Sequence, residues 1–286
     1  MDFTKFKLSN KQYGGSERKI GLTDGRDFYM IKFRKKSDFG LKYNHVSEFI
    51  GSHIFELLGF DTHKTALGYY KNEEVVACKD FNENGCQFVP FNDVGESSIE
   101  MDKEAYQYSY EDIVSMLKAN KKLTNVEETV NLFFETYIVD ALIGNFDRHG
   151  GNWGFLKRDN KYFLAPIFDN GSCLYPSLID EEEIKRIMSD ENEINERVYT
   201  FPTSQIQLNN KKSSYFDVIS SLKFEGINNA LKIVYQRIDL GRINLLIDNT
   251  SFISETRKEF YKLMIKERYN KIIKYSYDLL MRKENE

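Results

Sequence analysis

The most constraining stretch of this chain runs from Val126 to Gly171. Val126, Val130, Phe133, Phe134, Tyr137, Ile138, Ala141 and Leu142 recur at helical spacing. That pattern predicts a helix buried on one side and ending at Gly144. Two short apolar runs follow, over 153–156 and 162–167, separated by Lys157-Arg158-Asp159-Asn160-Lys161. Asp159-Asn160 suits a tight turn, so the runs are predicted as a hairpin. Asp147 lies in the loop after the helix, Asn152 just before the first strand and Asp169 just after the second. An antiparallel pair returns residue 169 to the neighbourhood of residue 152. The separation in sequence therefore collapses into one pocket with two carboxylates and an amide.

Phosphoryl transfer needs such a set. Magnesium prefers hard oxygen ligands and takes only one or two from protein, leaving room for phosphates and water. A separate carboxylate is needed to orient the attacking hydroxyl and accept its proton. An Asp-x-x-x-x-Asn string alone is weak. Placed after a buried helix and before a hairpin that ends in Asp-x-Gly, it follows the spacing logic of a kinase catalytic loop and metal loop.

Upstream, residues 1–90 read as β-rich with one helix. Tyr13-Gly14-Gly15-Ser16 is a glycine turn, and Asp24-Gly25 separates predicted strands over 19–23 and 27–34. In the second strand Tyr29, Ile31 and Phe33 alternate with Phe28, Met30 and Lys32. A helix is predicted over 43–58, with Val46, Phe49, Ile50, Ile54, Leu57 and Leu58 on one stripe and Gly59 as its stop. A turn and strand over 71–80 centre on Val75-Val76-Ala77. Residues 181–286 read mostly as charged amphipathic helix, with an open stretch around Phe201-Pro202. The expectation is an α+β, two-lobed protein-kinase-like fold, with a small β-rich N-lobe over 1–90 and a helical C-lobe over 91–286.

Composition narrows the function classes. Hydrophobic residues make up 41% of the 286 and aromatics 14%, enough for a packed interior and against a disordered chain. A net charge of −4 with mixed signs gives no footprint for a nucleic-acid backbone or an anionic membrane. The local basic cluster is Lys32, Arg34, Lys35 and Lys36. Cys78, Cys86 and Cys173 have no metal-ligand spacing with the four histidines, which argues against a zinc site or a disulfide scaffold. With no signal-like start and no run near about 18 apolar residues, a cytoplasmic protein is expected.

Taken together, the motifs resemble the HipA-like serine/threonine kinases, in particular their short CtkA-like branch. The resemblance rests on Tyr13-Gly-Gly-Ser-Glu-Arg-Lys19, Tyr29-Met-Ile-Lys32-Phe, Ser47-Glu-Phe-Ile-Gly51, Val75-Val-Ala-Cys-Lys-Asp-Phe81, Ile143-Gly-Asn-Phe-Asp-Arg-His-Gly-Gly-Asn152 and Pro166-Ile-Phe-Asp169. These occur in the family's order and cover roughly residues 10–175; the last two are the most specific. The resemblance implies ATP and Mg²⁺ as cofactors, Asp147 as catalytic base, and Asn152 and Asp169 as metal ligands. It implies that Lys32 contacts the ATP phosphates and that Gly14, Gly15 and Ser16 form the loop over them. Cys78, Lys79, Asp80 and Phe81 fall at the hinge that would hold adenine through backbone hydrogen bonds, and His149 falls near the nucleotide. It leaves room for an antitoxin or other regulatory partner and a toxin-like role. The larger HipA proteins carry an extra N-terminal subdomain, and the resemblance to the short branch implies a chain without it. They also carry an autophosphorylated serine just before the glycine loop, where this chain has Lys11-Gln12, with Ser9 and Ser16 nearby.

Plainer readings stand beside these. Lys32 alone is an ordinary edge-strand lysine. Glu48 lies opposite the apolar stripe of its helix, on either a cleft face or a solvent face. His53 reads as a satisfied core histidine, Trp153 as hairpin packing and 180–183 as a solvated helix start. The segment 170–176 reads as open enough for an extended peptide. A protein hydroxyl is the expected acceptor. A lipid or small-molecule kinase with the same ATP site, and a nucleotide-binding pseudokinase module, are the alternatives.

Overall fold

A computed structural model of the chain describes residues 1–14, 17–82, 85–94, 109–119, 125–204 and 206–286. Gly15 and Ser16 of the expected phosphate loop lie outside these residues. The N-terminal part contains β1 (Lys7–Leu8), β2 (Lys19–Thr23) and β3 (Phe28–Phe33), then a small hairpin of β4 (Lys36–Ser37) and β5 (Gly40–Leu41). Helix α1 (Asn44–Leu57) follows, then β6 (Thr65–Tyr70) and β7 (Glu73–Lys79). The last two are joined through Lys71 and Asn72, both with positive φ, 49° and 66°, the backbone a two-residue hairpin turn requires.

These strands form an antiparallel sheet in the order β1-β2-β3-β7-β6. Strand β3 is therefore central, and Lys32 is not an edge residue. Ile31 and Phe33 pack with Leu22, Val75 and Ala77 in a small core on one face. The period of a strand puts Lys32 on the other face, beside its register partner Val76. Helix α1 sends Val46, Ile50, Ile54 and Phe55 into the larger core, which couples it to the rest of the molecule.

The second part begins with β8 (Gln87–Pro90), α2 (Phe91–Val94), α3 (Tyr110–Ala119) and α4 (Val126–Ile143). Asn125 caps α4 by accepting the Glu128 N–H, and Gly144 ends it in the left-handed conformation at φ 63°. The expected one-sided burial holds only for the first turns. Ile138 through Ile143 are all buried. The expected hairpin is β9 (Gly154–Arg158) and β10 (Lys161–Leu164), with Asp159 and Asn160 at φ 51° and 60° in its turn. Strand β8 adds to β9, making a three-stranded sheet. Trp153 stacks on Phe91 at 3.9 Å, as hairpin packing.

The remainder is helical: α5 (Glu181–Met188), α6 (Glu191–Tyr199), α7 (Tyr215–Ser220), α8 (Glu225–Arg237), α9 (Leu240–Asp248), α10 (Glu255–Arg268) and α11 (Tyr275–Asn285), with a π-helical stretch at Tyr269–Lys274 between the last two. Helices α8 and α10 and the π stretch all touch α4, which explains why its second half is buried all round. Asp180 caps α5, with Glu181, Glu182 and Glu183 in the first turn, so the acidic run is a helix start. Among the described residues, the open stretch after α6 carries the isolated bridges Thr203↔Ser214 and Leu208↔Lys211. The result is the expected α+β, two-lobed architecture, sheet-rich in its first part and helical in its second. Among the described residues no helix is long and apolar enough to cross a membrane.

Candidate active site

Lys32 is 4% exposed, and a lone ammonium so placed would be driven to its neutral form. Two carboxylates prevent this. Its Nζ lies 2.7 Å from Glu48 Oε2 and 2.7 Å from Asp169 Oδ1. Burial by itself would lower the Lys32 pKa; the charges of Asp169 and Glu48 outweigh it and hold the ammonium well above its ordinary value. Glu48, left undecided by the helical wheel, thus points into the cleft and not to solvent. Its Oε1 accepts the Asn170 N–H at 3.0 Å and lies 3.0 Å from His63 Nε2, which is also 2.9 Å from Ser52 Oγ. Burial would raise the Glu48 carboxyl, but the Lys32 charge and the His63 hydrogen bond outweigh it and keep it below the usual carboxylate range.

Asp169 joins this network from just beyond β10, at φ 59°, a left-handed backbone that aspartate tolerates better than most residues. The sequence predicts that the following segment, 170–176, is open. It is packed instead: Asn170, Cys173 and Leu174 are buried. Cys173 Sγ donates to the Ser47 carbonyl, and the Tyr43 N–H donates to the Pro176 carbonyl at 2.9 Å. An ideal Cβ on Gly51 would lie 2.7 Å from Asn170 Cβ and 3.0 Å from Cys173 Sγ. Only glycine lets α1 approach this closely.

Arg148 clamps the loop from behind. Its Nε and Nη2 donate to Asp140 at 2.9 and 3.0 Å, and Nη1 donates to the Asn152 carbonyl at 3.2 Å. It also donates to the Phe168 carbonyl and to Asn170 Oδ1. One buried cation thereby ties α4, the loop bearing Asp147 and Asn152, and the residues flanking Asp169. Burial would lower the Arg148 pKa, and the Asp140 charge outweighs it. Asn145 donates to Asp140 Oδ1 at 2.9 Å and receives the Asp147 N–H at 3.2 Å, which fixes the start of the loop.

The Asn152 side-chain N–H donates to the Asp147 carbonyl at 2.6 Å, which turns its amide oxygen the other way. The Asp147 carboxyl is pushed up chiefly by burial; the nearby His149 charge opposes this and the Asp169 charge adds to it. His149 Nδ1 accepts the Gly151 N–H at 3.0 Å, so a neutral ring carries its proton on Nε2, which lies 3.9 Å from Asp147 Oδ1.

At the expected hinge, the N–H groups of Lys79 and Asp80 are spent on the carbonyls of Lys64 and Phe28. Among the described residues, the Phe81 N–H has no main-chain partner. Cys78 is buried beside Glu48, and burial, with that charge, pushes its thiol well up. The Asp80 carboxylate accepts from Lys11 Nζ and Tyr13 O–H, tying the segment before the glycine turn to the hinge. Gly14 has open space around it, and its carbonyl accepts from Lys19 Nζ.

The structure thus brings Lys32, Asp147, His149, Asn152 and Asp169 around one cleft. It adds Glu48, His63, Asp140, Arg148 and Asn170. Asp140 and Arg148 straddle a helix end, so neither periodicity nor motif spacing links them. His53 is half-buried, with Nδ1 on the Phe49 carbonyl at 2.8 Å, as a packing residue. Glu48, His63 and Cys78 form the one His/Cys/acid group among the described residues compact enough for a metal ion. The Lys32 ammonium already supplies the cation there. A cavity between α4 and the β9–β10 hairpin is lined by Arg148 and Asn152 but not by Lys32, Asp147 or Asp169, so it lies apart from the group those three residues form.

The HipA-like C-terminal domain family matches residues 11–219. The serine/threonine-protein kinase CtkA of Helicobacter pylori strain J99 is 37% identical over 282 residues, spanning 96% of this chain and 86% of that protein. The crystal structure of a Helicobacter pylori proinflammatory kinase CtkA superposes with a TM-score of 0.90 at 36% identity, covering 98% of each chain. A chain from the Shewanella oneidensis MR-1 toxin–antitoxin complex of HipA, HipB and operator DNA matches at TM-score 0.53 and 15% identity, over 96% of this chain and 68% of that one. That last likeness is one of fold alone.

Proposed function

The chain belongs to the HipA-like family and is a serine/threonine-protein kinase, and from that premise we propose that it transfers the γ-phosphate of ATP, with Mg²⁺, to a protein hydroxyl. The observation that carries the proposal is the buried Lys32 held between Glu48 and Asp169 at 2.7 Å each. A cation fixed at that point can meet phosphate oxygens without reorganising.

The donor chemistry fits a magnesium ion. Asp169 keeps a second carboxylate oxygen that accepts no hydrogen bond among the described residues. The Asn152 oxygen faces away from the bond that fixes its amide. When bound, Mg²⁺ would neutralise charge on the phosphates. Asp147 would orient the acceptor hydroxyl and take its proton. His149 Nε2–H would hold that carboxylate or a phosphate oxygen. Adenine would lie against Cys78, Lys79, Asp80 and Phe81, hydrogen-bonded to the Phe81 N–H. Gly14, Gly15 and Ser16 would cover the phosphates. In this reading residues 1–90 form the small lobe and 91–286 the large one.

The protein acceptor, a cytoplasmic location and an antitoxin-like regulatory partner belong to the same proposal. The test is incubation with γ-labelled ATP and Mg²⁺, alone and with a cell lysate. Label on serine or threonine that EDTA abolishes is the expected result. Label confined to lipid or small molecules would overturn the protein-acceptor reading and leave the ATP site standing.

A further inference from the structure

Because Asn170, Cys173 and Leu174 are buried, the segment after Asp169 cannot receive an extended acceptor, which needs another wall beside Asp147. Exposed apolar surface adjoins that residue. Phe146 immediately precedes Asp147 and is 38% exposed, and Phe201, in the stretch after α6, is 44% exposed. Their ring centroids lie 5.9 Å apart. Phe201 also meets Tyr175, from the segment that follows Asp169, with centroids 6.3 Å apart. The patch thus runs from the loop that bears the proposed base to the segment behind the proposed metal ligand.

Each part is anchored from behind. Asn145, beside Phe146, is buried, and its carbonyl accepts the Tyr215 O–H at 2.8 Å. The Phe201 N–H donates to the Glu196 carbonyl at 3.0 Å, near the end of α6. The Tyr175 O–H donates to the Arg197 carbonyl at 2.8 Å, and its ring packs on Phe260 with centroids 5.8 Å apart. The Leu174 N–H donates to the Ile143 carbonyl at 3.0 Å, which ties that segment to the end of α4. A single exposed apolar residue needs no explanation. Two aromatic rings in contact, on a fixed base and adjoining a reactive carboxylate, offer apolar area that a substrate side chain can cover.

We propose that Phe146 and Phe201 form a subsite for a large apolar side chain, aliphatic or aromatic, in the acceptor segment of the protein substrate. This rests on the protein-kinase reading above and names the kind of sequence that it phosphorylates. An extended chain advances about 3.3 Å per residue, so a side chain over a patch that adjoins Asp147 lies within about three residues of the acceptor hydroxyl. Covering the rings removes apolar area from water on both partners. The contact is remote from the transferred phosphoryl group, so it holds the hydroxyl towards Asp147 and leaves the nucleotide site alone.

The probe is a degenerate peptide library with serine or threonine at the centre, incubated with γ-labelled ATP and Mg²⁺. One flanking position is fixed at a time, from the third residue before the acceptor to the third after it. Wild type should favour Leu, Ile, Met or Phe over Ser, Glu or Lys about tenfold in kcat/KM at one or more of these positions. Phe146→Ser and Phe201→Ser should each remove most of that preference, chiefly by raising the peptide KM. Mg-ATP should raise the melting temperature of both variants as it does that of wild type, which reports a folded nucleotide site. Phe201→Leu, which keeps an apolar surface, should retain most of the preference. No apolar preference at any position, or one that survives both serine variants undiminished, would overturn the subsite and leave the kinase reading standing. Wild type that labels none of the serine and threonine peptides would overturn the protein-acceptor reading and the subsite with it.

Discussion

Replacing Gly51 with alanine puts a single methyl group where α1 meets the segment after Asp169. The new Cβ would lie 2.7 Å from Asn170 Cβ and 3.0 Å from Cys173 Sγ, whereas carbon atoms pack comfortably at about 3.5–4.0 Å. The neighbour cannot swing aside. Asn170 is held by its N–H on Glu48 Oε1 at 3.0 Å, by its amide on Ser52 Oγ at 3.0 Å, and by Arg148 on its side-chain oxygen. Two effects oppose each other. Alanine gains about 1 kcal/mol over glycine inside a helix. Overpacking costs about 1–3 kcal/mol, and loss of the charge-assisted bond to Glu48 adds about 1.5–3 kcal/mol if the segment retreats. The sum is a net loss of about 0–2 kcal/mol if the segment holds and about 1.5–5 kcal/mol if it retreats, expected as a lower urea midpoint with an unchanged slope. Because Asn170 adjoins Asp169, kcat should fall at least about tenfold while circular dichroism stays native, since a 1 Å misplacement alone can cost about 10². A Gly51→Ala protein as stable and as active as wild type would refute the claim that this contact sets the position of Asp169.

Asp147→Asn should lower transfer about 10²–10⁴-fold while Mg-ATP still raises the melting temperature; near-wild-type labelling would remove Asp147 as the base. Because burial raises the Asp147 pKa and the base must be ionised, the acid limb of kcat/KM should lie above the ordinary aspartate range, near pH 4. The same shift means that ionised Asp147 reduces stability as pH rises from that ordinary value through the raised one. Asp147→Asn should therefore be no less stable than wild type at neutral pH, as a urea titration would show. Asp169→Ala should remove Mg-dependent stabilisation by ATP, which at about 100 times the Kd is worth roughly 2.7 kcal/mol, and a thermal shift equal to wild type would exclude it as a ligand. Glu48→Ala leaves Lys32 short of one counter-charge in a buried place and should destabilise by about 3–5 kcal/mol, read as a lower denaturation midpoint.

The sequence by itself determined the local elements of this protein, because their causes are local. Asp159-Asn160 supplies the two left-handed residues of the β9–β10 turn, Gly144 ends α4 and Asp180 starts α5. The hairpin arithmetic likewise implied that Asp147, Asn152 and Asp169 would meet. Other features had no local cause and waited on the tertiary structure. Lys32 is central rather than on an edge because β7 returns to pair with β3 from more than 40 residues away. Glu48 faces the cleft because Lys32, His63 and the Asn170 N–H surround it, none of them near it on its own helix. Arg148 and Asp140 find each other only once α4 and the loop pack together, since charge pairing at that separation follows from burial and not from periodicity. The segment 170–176 looked open because its composition is mixed. It is closed because its polar groups find partners on α1 that only the assembled fold supplies.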